Sequence, residues 1–217
     1  ALIVLGGLGF FVWSDVWDHR RFRSLSLHSK LVLAMSGVLL GGGFLLTLLF
    51  EWSNPTTLGG MTLPHKLLAA AFQSVTLRTA GFNTIDESAL TGPSQAVACV
   101  LMLIGGSPGS TAGGLKTVTV AVLALSAVSA LRGRTSVTAF GRTIEPRSMN
   151  AVALTVIGVT ISLGGACVIA FIENAPMNLC LYETASAFGT VGLTMSLTPS
   201  LSAVSHIMLI VLMYFGR

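Results

Sequence analysis

The apolar positions of this chain form stretches of two lengths, separated by short polar segments. Residues 30–50 and 149–172 are apolar over the roughly 20 residues that a helix needs to cross the hydrocarbon core of a bilayer. Residues 64–77 and 177–188 are shorter apolar segments, of a length typical of re-entrant helices. The pattern predicts an all-α membrane protein in which short helices enter the bilayer between full spans.

A third long apolar stretch, residues 91–131, is interrupted at its centre by the run Gly-Gly-Ser-Pro-Gly-Ser-Thr-Ala-Gly-Gly, residues 105–114. Each unpaired backbone N–H or C=O costs several kcal/mol in hydrocarbon, so such a break needs surrounding protein or a water-filled cavity. The break therefore indicates a permeation path. The alternative is a tight helix crossing on the spacing of Gly105 and Gly109, which Pro108 disfavours. A phosphate-binding loop would need a lysine directly after its last glycine.

Composition narrows the class further. With 53% apolar and only 9% charged residues, the chain lacks the polar surface of a soluble domain. Its formal net charge of +4 is divided among short loops, which fits the positive-inside rule better than contact with nucleic acid. Cys99, Cys167 and Cys180 lie in apolar stretches without metal-ligand spacing, so we expect them to be small core residues.

Clusters of basic residues orient the predicted spans, because short loops rich in Lys and Arg face the cytoplasm. The clustered basic residues are Arg20, Arg21, Arg23, Lys30, Arg132, Arg134, Arg142 and Arg147.

Since the first apolar segment is too short to span and the last helical pattern stops at Arg217, we also expect a fragment of a longer protein. The predicted parts are the end of a preceding span (1–13), a cytoplasmic loop (14–29), a complete repeat with a broken last span (30–131), a second cytoplasmic loop (132–148) and a final repeat (149–217).

A small glycine-centred loop follows each short helix. The first is Thr79-Ala80-Gly81-Phe82 and the second is Thr190-Val191-Gly192-Leu193, so the chain repeats a unit of span, short helix, Thr-x-Gly loop and span. Backbone carbonyls and a threonine hydroxyl can replace the water around a monovalent cation. Glycine permits the dihedral angles that turn successive carbonyls inward. The repeated loops therefore predict a cation path.

The motifs around these loops resemble the Trk/Ktr/HKT superfamily of potassium uptake proteins, and most closely the bacterial Ktr membrane subunit. That family has four units of span, re-entrant pore helix, filter loop and span around a central pore. The resemblance implies that the chain holds the end of the second unit, all of the third and most of the fourth. It rests on Arg78-Thr-Ala-Gly-Phe-Asn-Thr84, Gly105-Gly-Ser-Pro-Gly-Ser-Thr-Ala-Gly-Gly-Leu-Lys-Thr117, Ser186-Ala-Phe-Gly-Thr-Val-Gly-Leu193 and Phe215-Gly-Arg217.

The resemblance also implies roles for single residues. Arg217 matches the arginine of the last span that faces the pore and acts as a barrier to ions. The K+ filter would comprise Thr79, Ala80, Gly81, Phe82, Thr190, Val191, Gly192 and Leu193. The intramembrane gate would comprise Gly105, Gly106, Ser107, Pro108, Gly109, Ser110, Thr111, Ala112, Gly113, Gly114 and Lys116.

Family resemblance further implies a multi-pass subunit of the cell (inner) membrane that passes K+ inward. Its expected partners are the lipid bilayer, a second copy of the full-length protein and a cytoplasmic nucleotide-binding RCK-type subunit. Na+ is the candidate for a coupling ion, as in symport. No nucleic acid partner and no cofactor other than the transported ion are expected.

Two alternatives concern charged residues and function. An unpaired Arg78 would repel a cation, so we expect a carboxylate partner, first Glu183 and second Asp86. Lys116 either extends to a membrane interface or acts in the gate. The alternative function is a structural helix bundle or a membrane enzyme that uses the glycine run for packing. Because only Glu183 lies at membrane depth and no catalytic set can be assembled, we expect no enzyme.

Overall fold

The structure, a computed structural model, describes residues 1–133, 137–140, 142–143 and 149–217, with side chains from residue 153 onward in the last range. Arg134 and Arg147, two of the basic residues in the predicted loop 132–148, lie outside the described residues. The described elements are α1 (Leu2–Leu8), α2 (Phe10–His19), α3 (Leu27–Glu51), α4 (Leu63–Thr76), α5 (Gly92–Leu103), α6 (Thr117–Leu131), α7 (Met149–Glu173), α8 (Met177–Gly189) and α9 (Ala203–Gly216), and the antiparallel pair β1 (Thr138–Ala139) and β2 (Arg142–Thr143).

Two helices in the described part of the chain are long and apolar enough to cross a membrane, namely Leu27–Glu51 and Ala153–Glu173. They coincide with the apolar stretches predicted as full spans. Ser26 caps the first of them by accepting a hydrogen bond from the backbone N–H of Ser29. Both helices keep large apolar side chains on their outer faces, such as Leu49 and Phe171, which are 70% and 89% exposed. Such faces suit contact with lipid rather than water.

The two short predicted helices are present as α4 and α8. Helix α4 begins with Pro64 in its first turn, where the missing N–H leaves no hydrogen bond unmade. It packs on α3, whereas α8 lies among α5, α7 and α9. The main core lies around α8, where Tyr182 contacts a cluster that includes Leu77 and Met102, all three at most 2% exposed. Helix α8 is therefore enclosed by longer helices, whereas the first half of α4 is exposed, with Leu63 at 57% and Leu68 at 69% exposure.

A glutamate at the end of each long helix, α3 and α7, accepts hydrogen bonds at the start of a later helix, α5 or α9. Glu51 accepts hydrogen bonds from the N–H and hydroxyl of Thr91, at 2.9 and 2.7 Å, where α5 begins. Glu173 accepts the same pair from Ser202, at 3.0 and 2.5 Å, where α9 begins. Each carboxylate thus satisfies a free N–H at a helix start and suits its positive end. The two halves of the chain share this joint.

The interrupted span consists of α5 and α6, separated by the glycine-rich loop, which we define as residues 105–114. Its two ends lie side by side, because the N–H of Gly105 donates to the carbonyl of Leu115 at 2.9 Å, and the N–H of Leu115 donates to the carbonyl of Leu103 at 2.9 Å. Such pairing supplies partners for backbone groups that the break takes out of the helix.

The first helical segment extends beyond its predicted end and contains a break of its own. Gly9, with φ of 84°, separates α1 from α2, and α2 continues to His19. The carboxylate of Asp15 accepts a hydrogen bond from the N–H of Ser26 at 2.9 Å and pairs with His19 at 3.0 Å. Hydrogen bonds from Ser29 and Ser26 lower the pKa of Asp15 to about 2. These contacts join α2 to the start of α3.

The cysteines differ in their surroundings. Cys180 is fully buried, Cys99 is half-buried and Cys167 is exposed. The prediction that all three are core residues is therefore wrong for Cys167. The reason is that α7 lies at the periphery, so an apolar residue on its outer face has no protein neighbour to cover it.

Candidate functional site

The two Thr-x-Gly loops, residues 79–82 and 190–193, have positive φ angles at the same two positions. Thr79 and Thr190 are both left-handed, with φ of 59° and 52°, and the glycines two residues later have φ of 76° and 93°. A left-handed conformation is unusual for a β-branched residue and costs on the order of 1–3 kcal/mol. It persists only where the surroundings hold it, so the two loops share a constrained conformation as well as a sequence pattern.

The two loops meet at their glycines. A Cβ atom added to Gly81 would overlap the carbonyl oxygen of Val191 and lie 3.4 Å from the Cα of Gly192. Val191 is buried, whereas Thr79, Gly81 and Thr190 are half-buried and Gly192 is exposed. The structure therefore brings together the residues that the sequence pairs by pattern. Only a residue without a side chain fits at position 81.

Hydrogen bonds from the preceding helices hold both loops. In the first loop, the hydroxyl of Thr76 accepts from the N–H of Phe82 at 3.0 Å and donates to the carbonyl of the same residue. In the second loop, the N–H of Val191 donates to the carbonyl of Ser186 at 2.9 Å. Each loop is thus folded back on the end of its own helix, which fixes the direction of its carbonyls.

Glu183 supports the far side of the second loop. Its carboxylate accepts from the hydroxyls of Thr194 and Thr198, both at 2.5 Å, and from the N–H of Met195 at 3.0 Å. The side chain is 3% exposed, and buried carboxylates need such donors. A cavity of about 330 Å³ lies beside this loop. Its lining residues include Glu183, Ser186, Thr190, Gly192, Thr194 and Met213.

The prediction of a carboxylate partner for Arg78 is wrong. Its guanidinium is buried, and Nη2 donates to the carbonyl of Gly105 at 3.2 Å. Glu183 is occupied by the second loop, and Asp86 accepts from Ser88 on the exposed surface. No ion pair among the described residues includes Arg78. A backbone carbonyl at the start of the glycine-rich loop takes the place of the expected carboxylate, so Arg78 connects the first Thr-x-Gly loop to the glycine-rich loop.

One side of the glycine-rich loop is attached to the break between α1 and α2. The N–H of Ser107 donates to the carbonyl of Gly7 at 3.0 Å, and its hydroxyl donates to the carbonyl of Leu8. The N–H of Phe10 donates to the carbonyl of Gly109 at 3.2 Å. A Cβ atom on Gly9 would lie only 2.7 Å from the hydroxyl of Ser107. Gly9 therefore allows this close approach, a role that its position in a short apolar segment did not reveal.

The other side of the glycine-rich loop is attached to the end of α9. The N–H of Gly114 donates to the carbonyl of Gly216 at 2.8 Å, and Nη1 of Arg217 donates to the carbonyl of Thr111. Gly113 lies against the side chain of Thr190, since an added Cβ would overlap its hydroxyl. The glycine-rich loop is thus held between the second Thr-x-Gly loop, α9 and the break at Gly9.

Lys116 binds the same loop. Its Nζ donates to the carbonyl of Ala112 at 2.7 Å, and the side chain is half-buried. Of the two readings from the sequence, this contact favours a role in the loop over extension to a membrane interface. Three cationic side chains, those of Arg78, Lys116 and Arg217, therefore donate to carbonyls of one ten-residue segment.

The chain matches known proteins over its whole length. A family model described as TrkH, cation transport protein, matches residues 1–217. The Potassium/sodium uptake protein NtpJ of Enterococcus hirae is 42% identical over 226 residues, with 100% of this chain and 49% of the relative covered. The Ktr system potassium uptake protein B of Bacillus subtilis is 41% identical over 217 residues, again with 100% and 49% covered.

A solved structure has the same fold. The crystal structure of the potassium transporter TrkH from Vibrio parahaemolyticus matches with a TM-score of 0.76 at 17% identity, over 99% of this chain and 48% of that chain. The predominantly helical architecture predicted from the sequence is thereby confirmed. The chain spans about half the length of the curated relatives it matches.

Proposed function

Because this chain belongs to the TrkH cation transport protein family, we propose that it forms part of a membrane pore that carries K+ inward. One observation carries the proposal: two Thr-x-Gly loops, each with a left-handed threonine and a positive-φ glycine, meet at Gly81, and each follows a short helix. The names of the relatives, which describe potassium and potassium/sodium uptake, support K+ as the ion.

The two loops act as half of a selectivity filter. Their carbonyls and threonine hydroxyls replace the hydration shell of K+ without introducing formal charge. Helix α8 ends at Gly189, next to Thr190, and α4 ends at Thr76, just before Leu77 and Arg78. Their C-terminal partial negative charges therefore favour a cation near the loops. The filter residues are Thr79, Ala80, Gly81, Phe82, Thr190, Val191, Gly192 and Leu193.

The glycine-rich loop acts as the gate. It lies against Thr190 and is held by hydrogen bonds on both sides, so an ion that leaves the filter meets backbone rather than open space. Opening requires those bonds to break or move together. Arg217, bound to the carbonyl of Thr111, adds a fixed positive charge below the filter. Gate and barrier therefore act at the same place.

The orientation follows from charge. The basic segments between α2 and α3 and between α6 and α7 face the cytoplasm of a cell whose inner membrane holds the protein. The family implies a homodimer of the full-length protein and a cytoplasmic nucleotide-binding RCK-type subunit. The name of one relative, protein B of the Ktr system, supports further components. Na+ as a coupling ion receives support from the name of another relative. Transport, not enzymatic catalysis, is the proposed activity.

Uptake measurements test this function directly. The protein, expressed from its complete coding sequence in a bacterium without potassium uptake systems, should restore growth at low external K+ and should take up rubidium. Uptake should be competed by K+ more strongly than by Na+. If membrane fractions contain the protein and neither growth nor rubidium uptake exceeds that of the empty vector, the proposed function is wrong.

Deleting Ser107 to Thr111 should raise rubidium flux per folded molecule, because the deletion removes the segment that obstructs the path. It should also reduce the dependence of flux on the cytoplasmic partner. Flux is normalised to the amount of variant protein found in the membrane. The alternative reading, in which the glycine run packs helices together, forecasts a different result: little protein in the membrane and no increase in flux per molecule.

A further inference from the structure

A second buried carboxylate lies behind the loops and is not part of the proposed filter or gate. Glu87, in the turn that follows the first Thr-x-Gly loop, is 1% exposed. Its two oxygens accept from Nε2 of Gln73 on α4 at 2.8 and 2.9 Å. One of them also accepts from the hydroxyl of Tyr182 on α8 at 2.6 Å. We call these three residues the carboxylate bridge.

The carboxylate bridge connects the two helices that carry the loops. Gln73 lies on α4, which ends just before Thr79, and Tyr182 lies on α8, which ends just before Thr190. Helix α4 packs mainly on α3, whereas α8 packs on α5, α7 and α9. Glu87 is therefore a direct polar connection between elements whose main packing partners differ.

All three side chains are removed from water, with Gln73 at 1% and Tyr182 at 0% exposure. No ion pair among the described residues neutralises Glu87. A buried carboxylate is costly unless several donors satisfy it, and loss of one donor leaves the others in a changed geometry. The hydrogen bonds of the carboxylate bridge are therefore favourable only at one separation of α4 and α8, which suits a role in holding that separation.

The second half of the chain has a related hydrogen bond between helix and loop, but there the helix carries the carboxylate. There Glu183 on α8 accepts a hydrogen bond from Thr198. Thr198 follows Gly192 by the same number of residues as Glu87 follows Gly81. In the first repeat the loop supplies the carboxylate and the helix supplies the donor, whereas in the second repeat the helix supplies the carboxylate. Tyr182 directly precedes Glu183, so α8 contributes to the hydrogen bonds behind both loops.

We propose that Gln73, Glu87 and Tyr182 are positioning residues for ion selectivity, which keep the two loops at the separation that suits K+ rather than the smaller Na+. The proposal rests on the proposed function, since it assigns selectivity to the contact between the loops. None of the three side chains contacts the ion. They act through the positions of the carbonyls around Gly81 and Val191, which must be held closely for one ion to be preferred.

Tyr182→Phe tests the proposal, because it removes one hydroxyl and keeps the ring that fills the core. We expect the ratio of K+ to Na+ uptake to fall on the order of tenfold, as for loss of one hydrogen bond to a charged group. Total cation flux should stay the same or rise. The matched control is Tyr214→Phe, since Tyr214 is 82% exposed and lies outside the bridge; it should leave the ratio unchanged.

Exchanging the amide of Gln73 and the carboxylate of Glu87 provides a second test, because the double variant should restore what each single variant loses. Gln73→Glu alone places two carboxylates together, and Glu87→Gln alone removes the charge that the donors require, so each should lower the ratio. The double variant restores one carboxylate and one amide, now with the carboxylate on the helix. It should recover most of the native ratio, because Gln and Glu have nearly the same volume and only the double variant restores the pairing of an amide with a carboxylate.

The outcomes separate this proposal from the proposed function. If the native protein takes up neither K+ nor rubidium, the proposed function fails first. If the native protein prefers K+ and folded Tyr182→Phe retains that preference, only the carboxylate bridge is wrong. A parallel loss of K+ and Na+ uptake would identify a structural brace. Should a single variant not reach the membrane, the exchanged double variant decides, because native abundance with lost preference contradicts the proposal.

Discussion

Gly81→Ala should reduce the preference of the protein for K+ over Na+ at least tenfold while much of the protein still reaches the membrane. Two costs combine at this position. The backbone has φ of 76°, which costs a residue with a Cβ on the order of 1–3 kcal/mol. The added methyl would also overlap the carbonyl oxygen of Val191, so that oxygen must move. The measurement is rubidium uptake in competition with K+ and Na+, supported by growth at limiting K+.

Two further glycine substitutions provide the comparison. Gly192 has φ of 93°, but an added Cβ would meet only the Cα of Gly81, at 3.8 Å. Gly192→Ala should therefore weaken selectivity through backbone strain alone and by less than Gly81→Ala. Gly41, within α3, has nothing within 4 Å of an added Cβ, so Gly41→Ala should change neither selectivity nor abundance. Unchanged ion preference in both loop variants would remove these glycines from the filter.

Arg217→Gln should raise maximal transport on the order of a hundredfold. At about 6 Å and an effective dielectric constant near 20, a fixed guanidinium repels a monovalent cation by roughly 3 kcal/mol, and each 1.36 kcal/mol corresponds to about tenfold in rate. The contact between Arg217 and the carbonyl of Thr111 adds to the effect, because its loss frees the glycine-rich loop. Apparent K+ affinity, set at the filter, should remain nearly unchanged.

Two variants distinguish the charge from the contact. Arg217→Lys keeps the charge but lacks the planar fork of the guanidinium, so a smaller increase is expected if the barrier is electrostatic. Arg132→Gln removes an equal charge from an exposed position at the end of α6 and should leave transport unaltered. If folded Arg217→Gln transports at the native rate or more slowly, the arginine braces α9 and is no barrier.

The sequence by itself determined the helical architecture and the family. Helices α3 and α7 were predictable because an uninterrupted apolar stretch of about 20 residues has few alternatives to a membrane span. The break after α5 was equally readable, since glycines and a proline cannot continue a helix there. The pairing of the two Thr-x-Gly loops also follows from the chain, because the same short pattern recurs at the same place in a repeated order of elements.

Tertiary structure decided which distant residues meet. The sequence suggested Glu183 or Asp86 for Arg78, yet the guanidinium binds the carbonyl of Gly105, because a backbone acceptor leaves no mark in a pattern of side chains. Gly9 gains its role only when the glycine-rich loop packs against it.

The carboxylate bridge joins residues from three elements, and its members look ordinary in their local sequence. Local patterns report periodicity and length, which depend on near neighbours along the chain. Hydrogen bonds between Glu87, Gln73 and Tyr182 depend on how whole helices pack, so only the folded arrangement of α4 and α8 could place them together.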